Sequence, residues 1–223
     1  MGLDLYAKVE HLLGFEEQRA ELYEIFLQKL EELGVKRVLD IGCGSGSFME
    51  LAKKRGFVIE GVDLSAEMVK RARAKGLECH CRDICKMQGA YEAAVAVFDV
   101  LNYLPEPKPF LECVKELLKE GGYFLADINT LRGFEEVAQG SLWIDEEDEF
   151  AAVDAEFEDG KLKTDIIYFY ESNGCFRKER GTIVQYYHDI EELKIEGLKI
   201  VDIDLISLFS DFADKALILY QKG

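Results

Sequence analysis

Residues 38–46 read Val-Leu-Asp-Ile-Gly-Cys-Gly-Ser-Gly, and this stretch is the strongest indication of the fold. An apolar run that contains Asp40 leads into three alternate glycines, Gly42, Gly44 and Gly46, and an amphipathic segment follows them. Glycine allows a tight turn and a close approach of the backbone to a ligand, because it has no Cβ atom. A dinucleotide-binding loop has the longer spacing G-x-G-x-x-G. The spacing found here favours a nucleoside without a pyrophosphate.

An acidic residue ends the next apolar run of the chain. Asp63 follows residues 58–62 and lies about 20 residues beyond the glycine loop, where a carboxylate accepts hydrogen bonds from ribose hydroxyls. A glycine-rich turn alone is unspecific. The strand, the loop and the acid in this order are far more specific, and they predict a nucleoside site.

Short apolar runs alternate with amphipathic segments on both sides of these motifs. The pattern predicts strands at 37–41, 58–62, 77–82, 93–98 and 123–128, and helices at 16–33, 48–55, 67–75 and 110–119. Such alternation specifies βαβ units, since parallel neighbours need a crossover connection.

The pattern changes after Thr130 to longer stretches of β-branched and aromatic residues. Turn sequences at 158–160 and 172–174 predict three or four antiparallel strands. A short helix at 190–196 and two strands, 199–206 and 216–221, are expected to follow. We therefore predict an α/β fold: a doubly wound, mostly parallel seven-stranded sheet with an antiparallel β insertion after the fifth strand.

The composition of the chain indicates which binding partners and which cellular compartment to expect. The formal net charge of −17 repels phosphate backbones and anionic lipids, so nucleic acid is disfavoured as a partner. No apolar run approaches the roughly 20 residues that span a bilayer, and the first 14 residues lack a signal-peptide pattern. Six cysteines in such a chain predict reduced thiols. We expect a cytoplasmic monomer or homodimer without a membrane partner.

The run Asp-Ile-Gly-Cys-Gly-Ser-Gly at 40–46 resembles the cofactor motif of class I S-adenosylmethionine-dependent methyltransferases. The resemblance is specific over 37–130 and looser towards the C-terminus. In that family the glycine loop faces the methionine part of S-adenosyl-L-methionine, and the acid after the second strand binds the ribose. A further acid lies near the adenine amino group, and apolar side chains pack on the adenine ring. The resemblance thus implies these cofactor-binding residues: Asp40, Gly42, Gly44, Gly46, Asp63, Leu64, Met68, Asp83, Ile84 and Phe98.

The same resemblance implies a place for the methyl acceptor. Residues 1–129 and 189–223 would form the cofactor-binding domain, and the insertion at 130–188 would cap the acceptor pocket. Asn102 and Tyr103 are predicted to orient the acceptor, and His188 is a candidate general base. Aromatic and basic residues of the insertion are candidates for the lining: Tyr168, Tyr170, Arg177, Tyr186 and Tyr187. The likeness of the insertion to amine-methylating relatives favours a small molecule with a nitrogen acceptor over oxygen.

Metal sites are not expected. Asp99, Asp127 and Asn129 suggest a magnesium site, but Ile128 separates the acid from the amide after the fifth strand. The run Cys79-His80-Cys81 with Cys85 suggests zinc, yet Cys79 and Cys81 would share one face of a strand while His80 points to the other. Buried thiols are expected there instead.

Two alternatives remain open at this level. One is an RNA-modifying methyltransferase, which the charge disfavours. The other is a protein that binds S-adenosylmethionine without catalysis, which a closed acceptor pocket would favour.

Overall fold

The structure is a computed structural model that describes residues 2–223. Its helices and strands, in chain order, are α1 (Gly2–Val9), α2 (Glu16–Glu32), β1 (Arg37–Ile41), α3 (Ser47–Lys54), β2 (Val58–Asp63), α4 (Ala66–Ala74), β3 (Cys79–Cys81), β4 (Tyr91–Ala96), α5 (Lys108–Leu117), β5 (Leu118–Asn129), α6 (Leu131–Gly133), β6 (Gly140–Asp145), β7 (Glu149–Glu158), β8 (Lys161–Ser172), β9 (Cys175–Tyr186), β10 (Leu198–Ile206) and β11 (Lys215–Lys222).

The main sheet has seven strands in the order β10-β11-β5-β4-β1-β2-β3. Strands β1 to β5 run parallel, whereas β11 pairs antiparallel with β5 and with β10. Helices α2, α3 and α4 pack on one face of this sheet, and α5 packs on the other. The arrangement confirms the predicted doubly wound fold. Strand order reverses at β1 and β4, and in such sheets ligands bind beyond the carboxyl ends of the strands at this point.

The antiparallel insertion after β5 is confirmed as a separate sheet of four strands, β6-β7-β8-β9. Its two inner turns carry Asp159-Gly160 and Asn173-Gly174, and all four residues have positive φ. That conformation is typical of a two-residue turn whose twist matches a hairpin.

Some elements differ from the prediction. The helix expected at 190–196 is a single 3₁₀ turn, Ile190–Leu193, and the third strand is only Cys79–Cys81. Helix α1 was not predicted, because eight residues form too short a helix to be stable alone. Its residues Leu5 and Val9 are buried against Tyr168 of the insertion sheet, and this packing stabilises it.

The cysteines correct one prediction. Cys85 and Cys113 form a disulfide with a Cα–Cα distance of 5.0 Å, so the expectation of six reduced thiols is wrong for these two. The turn that follows β3 packs on α5 and brings the two residues together, which their separation of 28 residues does not reveal. Cys79 is buried as expected, whereas Cys81 is exposed.

Candidate functional site

The glycine loop connects β1 to α3 at the carboxyl edge of the sheet. Gly42, Gly44 and Gly46 have φ of 75°, 51° and 81°, a conformation that side chains with a Cβ atom rarely adopt. The backbone NH of Gly42 donates to the carbonyl of Val62 at 2.8 Å, which ties the loop to β2.

The three glycines meet different surroundings. A Cβ atom on Gly44 would have no described atom within 4 Å, so that position opens into free space. A Cβ on Gly42 would lie 2.9 Å from Val100, and one on Gly46 would lie 2.3 Å from the Leu77 side chain. Gly46 therefore permits close packing of α3 against the neighbouring βα unit, whereas Gly44 leaves the loop accessible.

The carboxylate of Asp63 binds backbone NH groups of two segments, the glycine loop and the turn before α4. One oxygen accepts a hydrogen bond from the NH of Gly44 at 2.9 Å, and the other accepts from the NH of Ser65 at 2.7 Å. Ser65 in turn caps α4 by accepting from the NH of Met68. Asp63 thus holds the glycine loop and the start of α4 in a fixed relation.

A cavity of about 590 Å³ lies over this edge, and we call it the large cavity. It brings together most of the predicted cofactor residues: Gly42, Gly44, Asp63, Leu64, Met68, Asp83, Ile84 and Phe98. Asp40 and Gly46 are not in its lining.

Asp40 lies buried beneath the loop. Its Oδ2 atom has no hydrogen-bond partner within residues 2–223. Burial, together with the neighbouring Cys79 and Asp63, raises the pKa of Asp40 well above its ordinary value. The structure therefore places this side chain under the loop and not at the surface of the large cavity.

A second cavity, of about 310 Å³, lies between the large cavity and the insertion, and we call it the small cavity. Its walls come from β7, β8 and β9 and from the segment that joins α6 to β6. Five residues line both cavities and define what we call the junction: Tyr6, Phe15, Phe98, Asp99 and Tyr103. A molecule in the large cavity and a molecule in the small cavity would therefore both contact these side chains.

The predicted acceptor residues after β4 have separate positions. Tyr103 lies at the junction, and burial, reinforced by Asp99, raises its pKa well above its ordinary value. Asn102 is fully buried and lines neither cavity. Its side chain donates to the carbonyl of Tyr186 at 2.8 Å and accepts from the NH of Asn129 at 2.9 Å, so it joins three elements beneath the junction.

His188 is buried and lies outside the lining of both cavities. Its Nε2 atom is 3.1 Å from the carbonyl oxygen of Leu101, and its Nδ1 atom is 3.8 Å from a carboxylate oxygen of Glu192. The structure therefore does not bring this ring to the junction.

The aromatic residues expected in the acceptor lining lie elsewhere. Tyr168 and Tyr170 share the inner face of β8 with Leu162 and Thr164, but only the latter two reach the small cavity. Helix α1 covers the tyrosines, and their hydroxyls bind carboxylates of the insertion. Three other candidates are also absent from both linings: Arg177, Tyr186 and Tyr187.

Helix α1 also supplies a residue of the junction that was not predicted, Tyr6. Burial and the charge of Asp99 raise the pKa of Tyr6 to about 12. No motif marked this residue, because only the packing of α1 on the insertion sheet brings it over the cavities.

At the carboxyl end of β5, the three residues that suggested a magnesium site contact a buried lysine. The ammonium of Lys215 forms an ion pair with Asp99, lies 2.8 Å from Asp127 and donates to the side chain of Asn129 at 3.2 Å. The antiparallel register explains the contact, since Lys215 on β11 lies opposite Asn129 on β5.

One further group of potential metal ligands lies away from both cavities, at Glu60, Glu78 and His80. Glu60 already accepts hydrogen bonds from Arg37 at 2.8 Å and from Tyr91 at 2.9 Å. These contacts compensate its charge without an ion.

Comparison with known proteins gives a consistent result. Residues 15–174 match the model of a family described as a methyltransferase domain. A methyltransferase of Geobacillus sp. (strain WCH70) is 24% identical over 205 residues, which is 85% of this chain and 83% of that protein. A ubiquinone biosynthesis O-methyltransferase of Xylella fastidiosa (strain 9a5c) is 32% identical over 130 residues, and the match spans about half of each protein, 53%.

The fold also recurs in solved structures. An S-adenosylmethionine-dependent methyltransferase from Clostridium acetobutylicum ATCC 824 superimposes with a TM-score of 0.80 at 22% identity. The match covers 98% of this chain and 99% of that one, so the shared fold includes the insertion.

Proposed function

The chain belongs to the family of class I S-adenosylmethionine-dependent methyltransferases, and we propose that it methylates a small molecule held in the small cavity, with nitrogen preferred over oxygen. One observation carries the proposal: two cavities of unequal size meet at a shared junction beyond the carboxyl ends of β1 and β4. A methyltransferase needs such an arrangement, because donor and acceptor must meet in line with water excluded.

The large cavity fits the cofactor by its chemistry. Asp63 offers a carboxylate to ribose hydroxyls, the open side of Gly44 allows close approach, and Asp83 is a carboxylate near the expected adenine. Leu64 and Met68 supply apolar surface for a planar ring. When bound, S-adenosyl-L-methionine supplies an electrophilic methyl group: the nitrogen lone pair forms the new C–N bond, the C–S electron pair stays on sulfur, and the nitrogen releases a proton.

The chemistry of the small cavity favours an uncharged or basic acceptor with an apolar body. Leu162, Ile183 and Val153 contribute apolar walls, and the ionisable carboxylates in the lining are Asp99 and Asp214. The described lining includes no lysine, arginine or histidine that could pair with an anionic acceptor. Its volume of about 310 Å³ suits a small molecule. These features give no support to the RNA alternative, which would need a basic surface.

The residues after β4 then have distinct proposed roles. We assign to Tyr103 the orientation of the acceptor by its hydroxyl group. Asn102 and His188 would hold the turn that carries Tyr103, through their bonds to Tyr186, Asn129 and Leu101. A general base is not required for an amine that binds in its neutral form.

The open small cavity favours catalysis over cofactor binding alone. No helix in the part of the chain that the structure describes is long and apolar enough to cross a membrane. The cytoplasmic location and the choice between monomer and homodimer stay predictions.

Calorimetric titration of the purified protein with S-adenosylmethionine and with S-adenosylhomocysteine tests the proposal. We expect saturable binding of both, followed by methylation of primary or secondary amines in a screen that also contains phenols and RNA. Folded protein that binds neither compound would overturn the assignment of the large cavity. Methylation of phenols alone would overturn the preference for nitrogen.

A further inference from the structure

Among residues 2–223, Asp99 is the one carboxylate that lines both cavities. The other members of the junction are aromatic: Phe15 and Phe98 are apolar, and Tyr6 and Tyr103 carry hydroxyls. Any positive charge that develops between donor and acceptor must therefore develop next to Asp99.

The backbone around Asp99 is fixed in an uncommon conformation. Phe98 and Asp99 have φ of 65° and 60°, which is rare for a bulky side chain such as phenylalanine. The carboxylate of Asp127 accepts hydrogen bonds from both NH groups, at 2.7 Å and 3.3 Å. These bonds compensate the backbone strain and aim consecutive side chains at the junction.

Lys215 anchors the Asp99 side chain from below. Its ammonium is buried and contacts the carboxylates of both Asp99 and Asp127. Two carboxylates and one ammonium leave one negative charge in excess. The Asp99 side chain keeps 17% of its surface exposed, whereas Asp127 is fully buried, so the excess charge faces the cavities through Asp99.

We propose that Asp99 binds the positive charge as it passes from the donor sulfonium to the acceptor nitrogen. The inference rests on the proposed function. With a neutral amine, the donor and acceptor together carry one positive charge before the transfer, and the methylated ammonium carries it afterwards. A fixed carboxylate between the two positions stabilises the charge throughout, because the carboxylate is already held in place and need not reorganise.

Two consequences concern ligand choice. The site should bind the sulfonium of S-adenosylmethionine more tightly than the neutral thioether of S-adenosylhomocysteine, which favours product release. It should also disfavour phenolates and carboxylates as acceptors, because like charges at short range repel. The acceptor class is thus an amine with an apolar body.

Calorimetric titration of Asp99→Asn with both compounds tests the inference without an acceptor. Asparagine tolerates positive φ and keeps the shape of the side chain, so the fold should survive. We expect the affinity for S-adenosylmethionine to fall about five- to tenfold and that for S-adenosylhomocysteine to change less than about twofold, as the loss of one nearby charge predicts. Asp145→Asn is the matched control, because Asp145 is exposed and lines neither cavity; it should leave the ratio of the two affinities unchanged.

The outcomes separate the two proposals. Equal losses for both compounds, or no loss for either, would overturn the role of Asp99 while leaving the cofactor site intact. Failure of the unsubstituted protein to bind either compound would overturn the proposed function itself. A circular dichroism melting curve of Asp99→Asn, compared with that of Asp145→Asn, establishes that the variant is folded at the titration temperature.

Discussion

The ammonium of Lys215 lies 2.8 Å from the carboxylate of Asp127, and both side chains are completely buried. Burial lowers the pKa of Lys215, but Asp127 and Asp99 outweigh it and raise that pKa. Burial, partly offset by Lys215, raises the pKa of Asp127 from 3.8 to about 6. The ammonium of Lys215 stabilises the carboxylates of Asp99 and Asp127, yet this attraction is weaker than the cost of burying Asp127 in its charged form.

The raised pKa of Asp127 predicts a pH dependence of stability. The folded state binds this proton more tightly than the unfolded state, so its contribution is complete below pH 3.8 and is lost as the pH rises through about 6. In Asp127→Asn that loss is absent. We expect the unfolding free energy of the unsubstituted protein to fall relative to the variant by about 2 kcal/mol between pH 4 and pH 7.

Urea unfolding of both proteins at several pH values measures this difference. Asp145→Asn, at an exposed site, controls for the general loss of one charge. A difference between Asp127→Asn and the unsubstituted protein that stays constant over the range would contradict the prediction.

The residues in and beneath the junction show which contacts can be predicted from the sequence and which cannot. The sequence suggests that Asp99 and Asp127 lie close together, because both follow strands whose carboxyl ends meet at one edge, but it suggests them only as ligands of a metal site that is not expected. Their cation was not predicted, since Lys215 comes from β11 and meets them only through the register of an antiparallel pair. Tyr6 was missed for a related reason: α1 is ordered by its contact with the insertion, which no local pattern encodes.

Substitutions at two glycines of the loop should affect different properties, cofactor binding for Gly44 and thermal stability for Gly46. Gly44→Val should weaken S-adenosylmethionine binding at least about tenfold, because its side chain would enter open space at the large cavity. It should also lower stability, since a β-branched residue is strained at a φ of 51°. Gly46→Ala should instead lower the melting temperature, since its Cβ would lie 2.3 Å from Leu77. Titration and thermal melting of each variant distinguish the two effects, and unchanged affinity in Gly44→Val would remove the loop from the site.

Removal of the Asp63 carboxylate should affect binding in two ways. Asp63→Ala would lose the bonds proposed to the ribose and also release Gly44 and Ser65. We expect a loss of about 1.5 to 3 kcal/mol in the free energy of S-adenosylmethionine binding. Glu67→Ala on the exposed side of α4 is the control, because Glu67 lies outside both cavities. If calorimetry gave the same dissociation constant for Asp63→Ala as for the control, Asp63 would not be a ligand.

The disulfide between Cys85 and Cys113 predicts a thiol count and a stability change. Unfolded protein without reductant should titrate four thiols, and reduced protein should titrate six, because the two cysteines are bonded.

Cys113→Ser should lower the unfolding free energy by about 3 to 4 kcal/mol, as expected for opening a loop of this length. Cys85 lines the large cavity beside Asp83, so this variant should also bind S-adenosylmethionine more weakly. Cys175→Ser, at an exposed free thiol, should change neither quantity; six reactive thiols in the untreated protein would show that the bond does not form.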